Sequence, residues 1–449
     1  MTRSSIRLAS SFGTGLISIA TALLISATGC ELLLVPLPGA NNGNDNGTPN
    51  EPPPRVVNQT DKSNSQARYV GANACRNCHT DIAAMHSRHG HAHKITPVSG
   101  GPPVFPDGTS AGIPDTPVGY DWSDIAWIIG GYTKKGRFVD HDGYILTTGS
   151  TGQRVQWNLP FGPTGNTGSW GNYEPDIPER KPFDYACFVC HTTGPQPANA
   201  DSPEFQENRP GMRGTWAEAG IQCEACHGPG SNHFTTAGGD VVIKTDMIFV
   251  DPDGSNSCRA CHNRPYDDQT GNIVAKGGYV QHHEQWPELR ASGGHSSLSC
   301  LDCHDPHRSV YYDKDNALRK RCTDCHPDAT MAGHEGKVYT RSDGYTETLS
   351  CTSCHMSYPV KSATNAASSL VGTVARIADV RTHIVRINTG AVDYRSFFTP
   401  DGNSVVRDSQ GRAAVTVDFV CIRCHNGNGA FALEVPFAAA IATSIHAWK

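Results

Sequence analysis

The pattern Cys-x-x-Cys-His occurs eight times in this chain of 449 residues and takes up 16 of its 17 cysteines. This spacing suits covalent attachment of a c-type haem, because two thiols bond the two vinyl groups of one porphyrin and the adjacent His binds the iron. A zinc array or a disulfide framework would not require a His directly after every second cysteine. The sequence therefore predicts eight covalently bound haem c groups.

The residues of the eight motifs divide into two sets. The predicted thioether-forming cysteines are Cys75, Cys78, Cys187, Cys190, Cys223, Cys226, Cys258, Cys261, Cys300, Cys303, Cys322, Cys325, Cys351, Cys354, Cys421 and Cys424. The predicted proximal iron ligands are His79, His191, His227, His262, His304, His326, His355 and His425.

Composition and charge exclude two broad classes of function. The formal net charge is −6 and the sequence pI is about 6.4, so the chain lacks the basic surface that nucleic-acid binding requires. After the N-terminal segment no stretch approaches 18 consecutive apolar residues, which excludes a polytopic membrane protein.

The density of motifs predicts the fold class. Five of the eight motifs fall within residues 216–360, which leaves too little chain for a conventional hydrophobic core. The porphyrins themselves are expected to form the core, with the chain wrapped around them. The prediction is a mainly α protein with long loops, a haem-stacked core and little regular sheet; 46 Gly and 30 Pro agree with abundant turns and loops.

Three local elements can be predicted outside the motifs. Ile125, Ile128 and Ile129 have helical spacing and suggest a short helix that ends at the following Gly-Gly pair. Residues 138–145 contain an Asp-Gly turn and suggest a hairpin. Pro436 suits the first turn of a C-terminal helix. The Gly- and Trp-rich insert around the first two elements is expected to pack over the first two haems.

Five segments are predicted along the chain. They are a signal peptide at 1–29, a lipid-anchored flexible linker at 30–68, an N-terminal haem region at 69–215 with haems 1 and 2 and the Gly/Trp-rich insert, a dense haem region at 216–360 with haems 3–7, and a C-terminal haem region at 361–449 with haem 8.

The first segments predict export. Arg3 and Arg7 precede an apolar run that ends before Cys30, which resembles a bacterial lipoprotein signal with lipid on the Cys30 thiol. Plain secretion with cleavage near Gly29 is the alternative. Glu31 is not the aspartate associated with inner-membrane retention, so an outer-membrane lipoprotein that faces the periplasm or the cell surface is predicted. The Asn-, Gly- and Pro-rich residues 37–66 suggest a flexible tether.

Thirteen of the 21 histidines lie outside the motifs and are available as second axial ligands. The string from Cys223 to His233, Cys-Glu-Ala-Cys-His-Gly-Pro-Gly-Ser-Asn-His, resembles the multihaem cytochromes related to cytochrome c-554 and hydroxylamine oxidoreductase. The resemblance implies that the His after this string is a distal ligand. On the same resemblance, the predicted distal ligands are His91, His233, His283, His295, His307, His334, His383 and His446.

Some of these assignments have close competitors in the sequence. His86, His89 and His93 compete with His91, and His282 competes with His283. His86 and His141 are expected to be solvated.

Three functions are compatible with the sequence. The first is electron transfer along a chain of bis-His haems, with other cytochromes or quinol-linked donors as redox partners. The second is an octahaem oxidoreductase that acts on a small nitrogen or sulfur compound at one open or Lys-ligated haem. Lys94, Lys134 and Lys135 could supply such a Lys, although a solvated position is expected for the last two. The third is an extracellular filament of haem-linked subunits.

Overall fold

The computed structural model describes residues 67–237, 240–263, 272–331, 333–362 and 377–446. The predicted signal peptide at 1–29, Cys30 and the tether at 37–66 lie outside the described residues. Within the described residues, no helix is long and apolar enough to span a bilayer.

The α-helices are short, with four to eight residues each. They are α1 (Ala72–Arg76), α2 (Thr80–Ser87), α3 (Thr148–Thr151), α4 (Tyr185–His191), α5 (Cys223–His227), α6 (Ser255–His262), α7 (Gln285–Arg290), α8 (Cys300–Cys303), α9 (Lys314–Ala317), α10 (Cys322–Cys325), α11 (Cys351–His355) and α12 (Val435–Ala442). The eighth motif begins in a π-helical turn, Asp418–Ile422.

The strands are also short but numerous. They are β1 (Ile95–Pro97), β2 (Ile125–Gly130), β3 (Lys135–Asp140), β4 (Tyr144–Ile145), β5 (Gln156–Asn158), β6 (Ser169–Gly171), β7 (Lys181–Pro182), β8 (Thr192–Thr193), β9 (Glu218–Ala219), β10 (Phe234–Ala237), β11 (Asp240–Ile243), β12 (Ala275–Lys276), β13 (Tyr279–Gln281), β14 (Val338–Thr340), β15 (Thr346–Thr348), β16 (Val360–Lys361), β17 (Ile387–Asn388) and β18 (Val415–Thr416).

The prediction of a mainly α fold with little regular sheet is wrong. The strands form one seven-stranded sheet, one three-stranded sheet and four two-stranded sheets. The physical reason lies in the motifs, because each needs only about one helical turn to bring two thiols and an imidazole together. The motifs therefore form short helices. The chain between them satisfies its backbone hydrogen bonds by strand pairing.

The seven-stranded sheet is built from the insert that follows the first motif. Its order is β1-β2-β3-β4-β7, with β5 paired to both β3 and β6. The predicted helix at Ile125–Ile129 is wrong, because these residues belong to strand β2, which lies between β1 and β3, and all five are buried. A run of β-branched and aromatic residues that is buried on both faces favours a strand over a helix. The two glycines that follow have φ of 72° and 81° and make the turn into β3.

The other two local predictions are confirmed. Strands β3 and β4 pair antiparallel across the Asp142-Gly143 turn, which is the predicted hairpin. Helix α12 begins at Val435 with Pro436 in its first turn. Pro suits this position because the first helical amides have no acceptor within the helix.

Among the described residues, two larger apolar cores support the motifs. The first belongs to the insert and packs against Cys187 of the second motif; Ile128, Phe138 and Phe188 are fully buried in it. The second joins residues 273–291 and Val360 to residues 378–420. Each core therefore lies beside haem motifs instead of replacing them.

Replacing Phe138 with Ala tests the first core. We expect a loss of about 3–5 kcal/mol in the free energy of unfolding, because a fully buried aromatic ring is deleted. Guanidinium unfolding of the haem-loaded protein, followed by circular dichroism, measures it. Val104→Ala is the control, since that side chain is 92% exposed, and an equal loss in both variants would contradict the assignment of Phe138 to a core.

Candidate haem-binding site

Each motif is folded by a short local hydrogen-bond pattern. The amide of the motif His donates to the carbonyl of the first Cys, as in His79 to Cys75 (2.9 Å), His326 to Cys322 (2.9 Å) and His425 to Cys421 (2.9 Å). One α-helical turn therefore places two thiols and an imidazole along the same stretch of chain. A single porphyrin can be held by all three groups.

Polar residues before the first Cys begin several of these turns. The Asp184 side chain accepts a hydrogen bond from the Ala186 amide at the start of α4. Ser299 forms a capping box with Asp302 in α8, and each side chain accepts from the backbone amide of the other. Such caps satisfy amide groups that have no partner within the helix. The residues between the cysteines thus help to fix each motif.

Seven of the eight motif histidines face a second His ring. An imidazole nitrogen binds a metal at about 2 Å, so two imidazoles on opposite sides of one iron have ring centroids about 6 Å apart. The pairs, with their centroid distances, are His79–His233 (6.5 Å), His227–His307 (6.2 Å), His262–His283 (5.9 Å), His304–His383 (6.2 Å), His326–His295 (5.8 Å), His355–His446 (5.5 Å) and His425–His334 (6.1 Å). These centroid distances fit a haem iron between the rings, and the His355–His446 pair is the tightest of the seven, with its Nε2 atoms 3.2 Å apart.

The fourth motif has two candidate partners. His262 lies 5.9 Å from the ring of His283 and 6.1 Å from the ring of His91. All eight predicted distal histidines are therefore placed opposite a motif His, but two of them face the same one.

The second motif differs from the others. His191 has Phe183 as a ring neighbour, at 6.1 Å, and among the described residues no His ring is stacked opposite it. His283 lies in the same neighbourhood, close enough for the charge of His191 to contribute to lowering the pKa of His283, although burial is the main cause.

The Nδ1 atoms of seven candidate ligands contact neutral acceptors. These contacts orient the ring and leave Nε2 for iron. The partners are backbone carbonyls for His191 (Lys94), His227 (Phe249), His233 (Lys244), His355 (Val385), His425 (Phe431) and His446 (Thr330), and the Gln285 side chain for His262. Two candidates have a carboxylate there instead: Asp305 Oδ1 is 3.4 Å from His307 Nδ1, and Glu288 Oε2 is 3.8 Å from His383 Nδ1.

Burial favours the neutral form of two motif imidazoles. It lowers the pKa of His191 to about 4 and the pKa of His304 to about 4. Neutral imidazole is the form that binds a metal, so these side chains are ready to ligate near neutral pH.

The motifs contact one another in a defined order. Helix α1 of the first motif contacts α5 of the third, α4 of the second contacts α6 of the fourth, and α11 of the seventh contacts the π-helical turn of the eighth. The thiol pairs Cys75–Cys223, Cys190–Cys261, Cys258–Cys300 and Cys322–Cys351 are within hydrogen-bond reach, and Cys303 lies near Cys325. Leu301 of the fifth motif also bonds Asp253 before the fourth, and Cys226 of the third lies close enough to Cys258 of the fourth to influence it electrostatically. The order therefore runs 1, 3, 4, 5, 6, 7, 8, with motif 2 beside motif 4.

A buried ion pair joins the last two motifs. Arg423, inside the eighth motif, donates two hydrogen bonds to Glu347 (2.8 and 2.9 Å) and one to the carbonyl of Ser353 inside the seventh (2.8 Å). Burial alone would raise the pKa of Glu347, but its bonds to Arg423 outweigh burial and lower that pKa to about 2. Composition and motif spacing gave no signal for this bridge, because Glu347 and Arg423 are 76 residues apart.

Three sequence expectations about polar residues have mixed outcomes. His141 is exposed, as expected, but His86 is partly buried beside the His227–His307 pair, so its predicted solvation is wrong. Lys134 and Lys135 are partly buried rather than solvated: Lys134 donates to the Asp379 carbonyl and lies 3.8 Å from the Phe161 ring centroid, and Lys135 donates to the Ser362 carbonyl. Both amines therefore anchor the insert to the C-terminal half of the chain.

Positive charge collects around the second motif. Lys94, Lys135 and Arg137 all lie close enough to influence His191. Burial lowers the pKa of Lys94 and of Arg137, and the Arg137 guanidinium lies 3.6 Å above the Tyr173 ring and donates to Gln156 (2.8 Å). Gln156 and Asn158 are fully buried next to it. The environment of His191 is thus cationic and polar.

A comparison with family models matches residues 172–228 to the family described as cytochrome c554 and c-prime. This segment contains the second and third motifs and supports covalently bound haem c there. A search of curated proteins finds no match.

Three solved structures resemble the chain. The octahaem sulfite reductase MccA of Wolinella succinogenes has 18% identity and a TM-score of 0.46, with 87% of this chain and 68% of that chain covered. The outer cell wall cytochrome OcwA has 18% identity and a TM-score of 0.46, with 84% and 86% covered. An undecahaem cytochrome from the S-layer of Carboxydothermus ferrireducens has 17% identity and a TM-score of 0.34, with 78% and 52% covered.

Replacing His233 with Ala tests the facing-pair geometry. His233 faces His79, so its removal is expected to open one iron, convert one haem from low to high spin and allow it to bind cyanide. Electron paramagnetic resonance of the ferric protein measures the spin states. His141→Ala is the matched control, because the exposed side chain of this His bonds the Ser123 carbonyl at the surface, and it should leave every signal unchanged. An unchanged spectrum in His233→Ala would contradict the pairing.

Proposed function

We propose that this chain is an octahaem c-type cytochrome that transfers electrons along a chain of bis-His haems. The observation that carries the proposal is the set of seven motif histidines, each facing another His at a distance that fits one iron. Two imidazoles saturate an iron, which excludes substrate and leaves electron exchange as its reaction. Bound haem supplies reversible one-electron chemistry, and the protein supplies spacing, orientation and electrostatics.

The roles of the residues follow from their places. The sixteen motif cysteines hold the porphyrins, the motif histidines are proximal ligands, and His91, His233, His283, His295, His307, His334, His383 and His446 are distal ligands. The contacts between motifs set the order of electron transfer. The Arg423–Glu347 pair fixes the seventh and eighth motifs relative to each other.

Export and docking are part of the same proposal. An outer-membrane lipoprotein anchored through Cys30 would present the haem chain to the periplasm or to the cell surface. Its redox partners would be other cytochromes or quinol-linked donors. Because the chain carries a formal net charge of −6, docking partners would be basic or guided by local patches.

Replacing His425 with Met tests the proximal assignment at the eighth motif. We expect one haem to be damaged, so that one of eight components is lost or displaced in a reductive titration followed by absorbance. The Ser123→Ala variant, which removes only the exposed hydrogen bond that this hydroxyl donates to Asp121, should titrate like the original protein. An unchanged titration of all eight haems in His425→Met would reject the assignment.

One observation favours a second function at the second motif. The absence of a stacked His opposite His191 among the described residues would leave that iron with an open position, and Lys94, Lys135 and Arg137 supply positive charge nearby. An open ferric iron in a cationic, buried setting suits a small anion. The second candidate is therefore an oxidoreductase acting on a small anionic nitrogen or sulfur compound at this haem.

Electron paramagnetic resonance of the ferric protein, with and without nitrite or sulfite, separates the two functions. A single high-spin signal that responds to the anion, and that weakens in Arg137→Gln, is expected for an open haem 2. Only low-spin signals, unmoved by either anion, would assign His283 to the iron of His191 and His91 to that of His262. That result would leave electron transfer as the function.

A further inference from the structure

The fifth motif occupies a special place in the contact order. Its Cys300 meets Cys258 of the fourth motif, and its Cys303 lies near Cys325 of the sixth. The fifth haem, between His304 and His383, therefore links a group formed by motifs 1 to 4 with a group formed by motifs 6 to 8. This inference rests on the proposed electron-transfer function.

A buried carboxylate lies beside the distal ligand of that haem. Glu288, in α7, is fully buried, and its Oε2 is 3.8 Å from His383 Nδ1. The buried Nδ1 atom has no closer hydrogen-bond partner among the described residues. Glu288 is thus the nearest acceptor for the proton that an iron-bound imidazole carries on Nδ1.

Both carboxylate oxygens of Glu288 accept hydrogen bonds. Oε1 accepts one from the Thr382 hydroxyl (3.0 Å), and Oε2 accepts one from the His383 amide (2.9 Å). These two neutral donors hold the carboxylate beside the His383 ring. Among the described residues no Lys or Arg lies within ion-pair distance of it.

A second carboxylate beside an axial ligand in the described part of the chain provides a contrast. Asp305 lies 3.4 Å from His307 Nδ1 in the third haem site, but it is partly exposed and Arg308 Nε lies 3.6 Å from its other oxygen. Water and a cation both weaken the field of Asp305 at the iron. The charge of Glu288 is screened by neither.

We propose that Glu288 makes the fifth haem the lowest-potential haem of the chain and so a barrier between the two haem groups. Reduction of a ferric haem with two neutral imidazoles removes one positive charge from its core. A buried anion beside an axial ligand stabilises the ferric state, and a stronger Nδ1 hydrogen bond has the same effect because it raises the basicity of the ligand. An electron that moves from one haem group to the other must then pass through the haem that is hardest to reduce.

A redox titration followed by electron paramagnetic resonance tests the proposal. In Glu288→Gln the amide keeps a hydrogen-bond acceptor but loses the charge. The component that is reduced last should become easier to reduce by about tenfold in its equilibrium constant, which is roughly 59 mV for one electron. The other components should stay in place. Asp315→Asn is the control, because this carboxylate, in α9 after the fifth motif, is exposed.

Thr382→Val gives an independent reading of opposite sign. It removes a donor that shares the charge of Glu288, so the last component should become harder to reduce. This variant decides the question if Glu288→Gln fails to fold.

The two hypotheses fail in different ways. Eight low-spin haems with an unmoved last component in Glu288→Gln would overturn the role of Glu288 and leave electron transfer intact. Loss of low-spin haems in the unmodified protein would instead reject the proposed function.

Discussion

Pairs of imidazole rings facing each other about 6 Å apart are the constraint on which the rest of this structure depends. Each pair joins a motif His to a His from a distant part of the chain, and its separation must be held accurately although only short helices and strands are available. The fold meets this demand through contacts at Nδ1, which are mostly with backbone carbonyls. The conformation of the loops therefore determines how the axial histidine rings are oriented.

The distribution of charge separates the haem sites into different kinds. Most ligand contacts are neutral, and the seventh and eighth motifs share an ion pair between Arg423 and Glu347. The fifth site has the uncompensated carboxylate of Glu288, whereas the second lies among Lys94, Lys135 and Arg137. Eight nearly identical motifs thus acquire different electrostatic settings from the residues around them. Such differences can give the haems different reduction potentials, which sets the direction of electron transfer, or can make one haem reactive toward a substrate.

Covalent chemistry was easier to predict from the sequence than the surrounding fold. The motif spacing specifies two thiols and an imidazole, and a resemblance at His233 pointed to a residue that does lie opposite His79. The strand at Ile125–Ile129 was mistaken for a helix, because helical spacing of three Ile residues is also present in a run of five apolar residues. Only the pairing with β1 and β3 distinguishes the two. Glu288 and Glu347 could not be found, since their significance depends on partners 94 and 76 residues away.

The distance along the chain between facing histidines has a consequence for stability. His355 and His446 are 91 residues apart, and an iron bound to both would close the intervening segment into a loop, as a disulfide does. Closing a loop of about 100 residues with a covalent crosslink is worth roughly 4–5 kcal/mol in the chain-entropy description, and an iron–imidazole bond acts in the same sense while it is intact. A protein with short helices, short strands and small apolar cores would then owe much of its resistance to unfolding to its metal centres. Loss of one distal ligand would loosen a long segment of chain as well as open one iron.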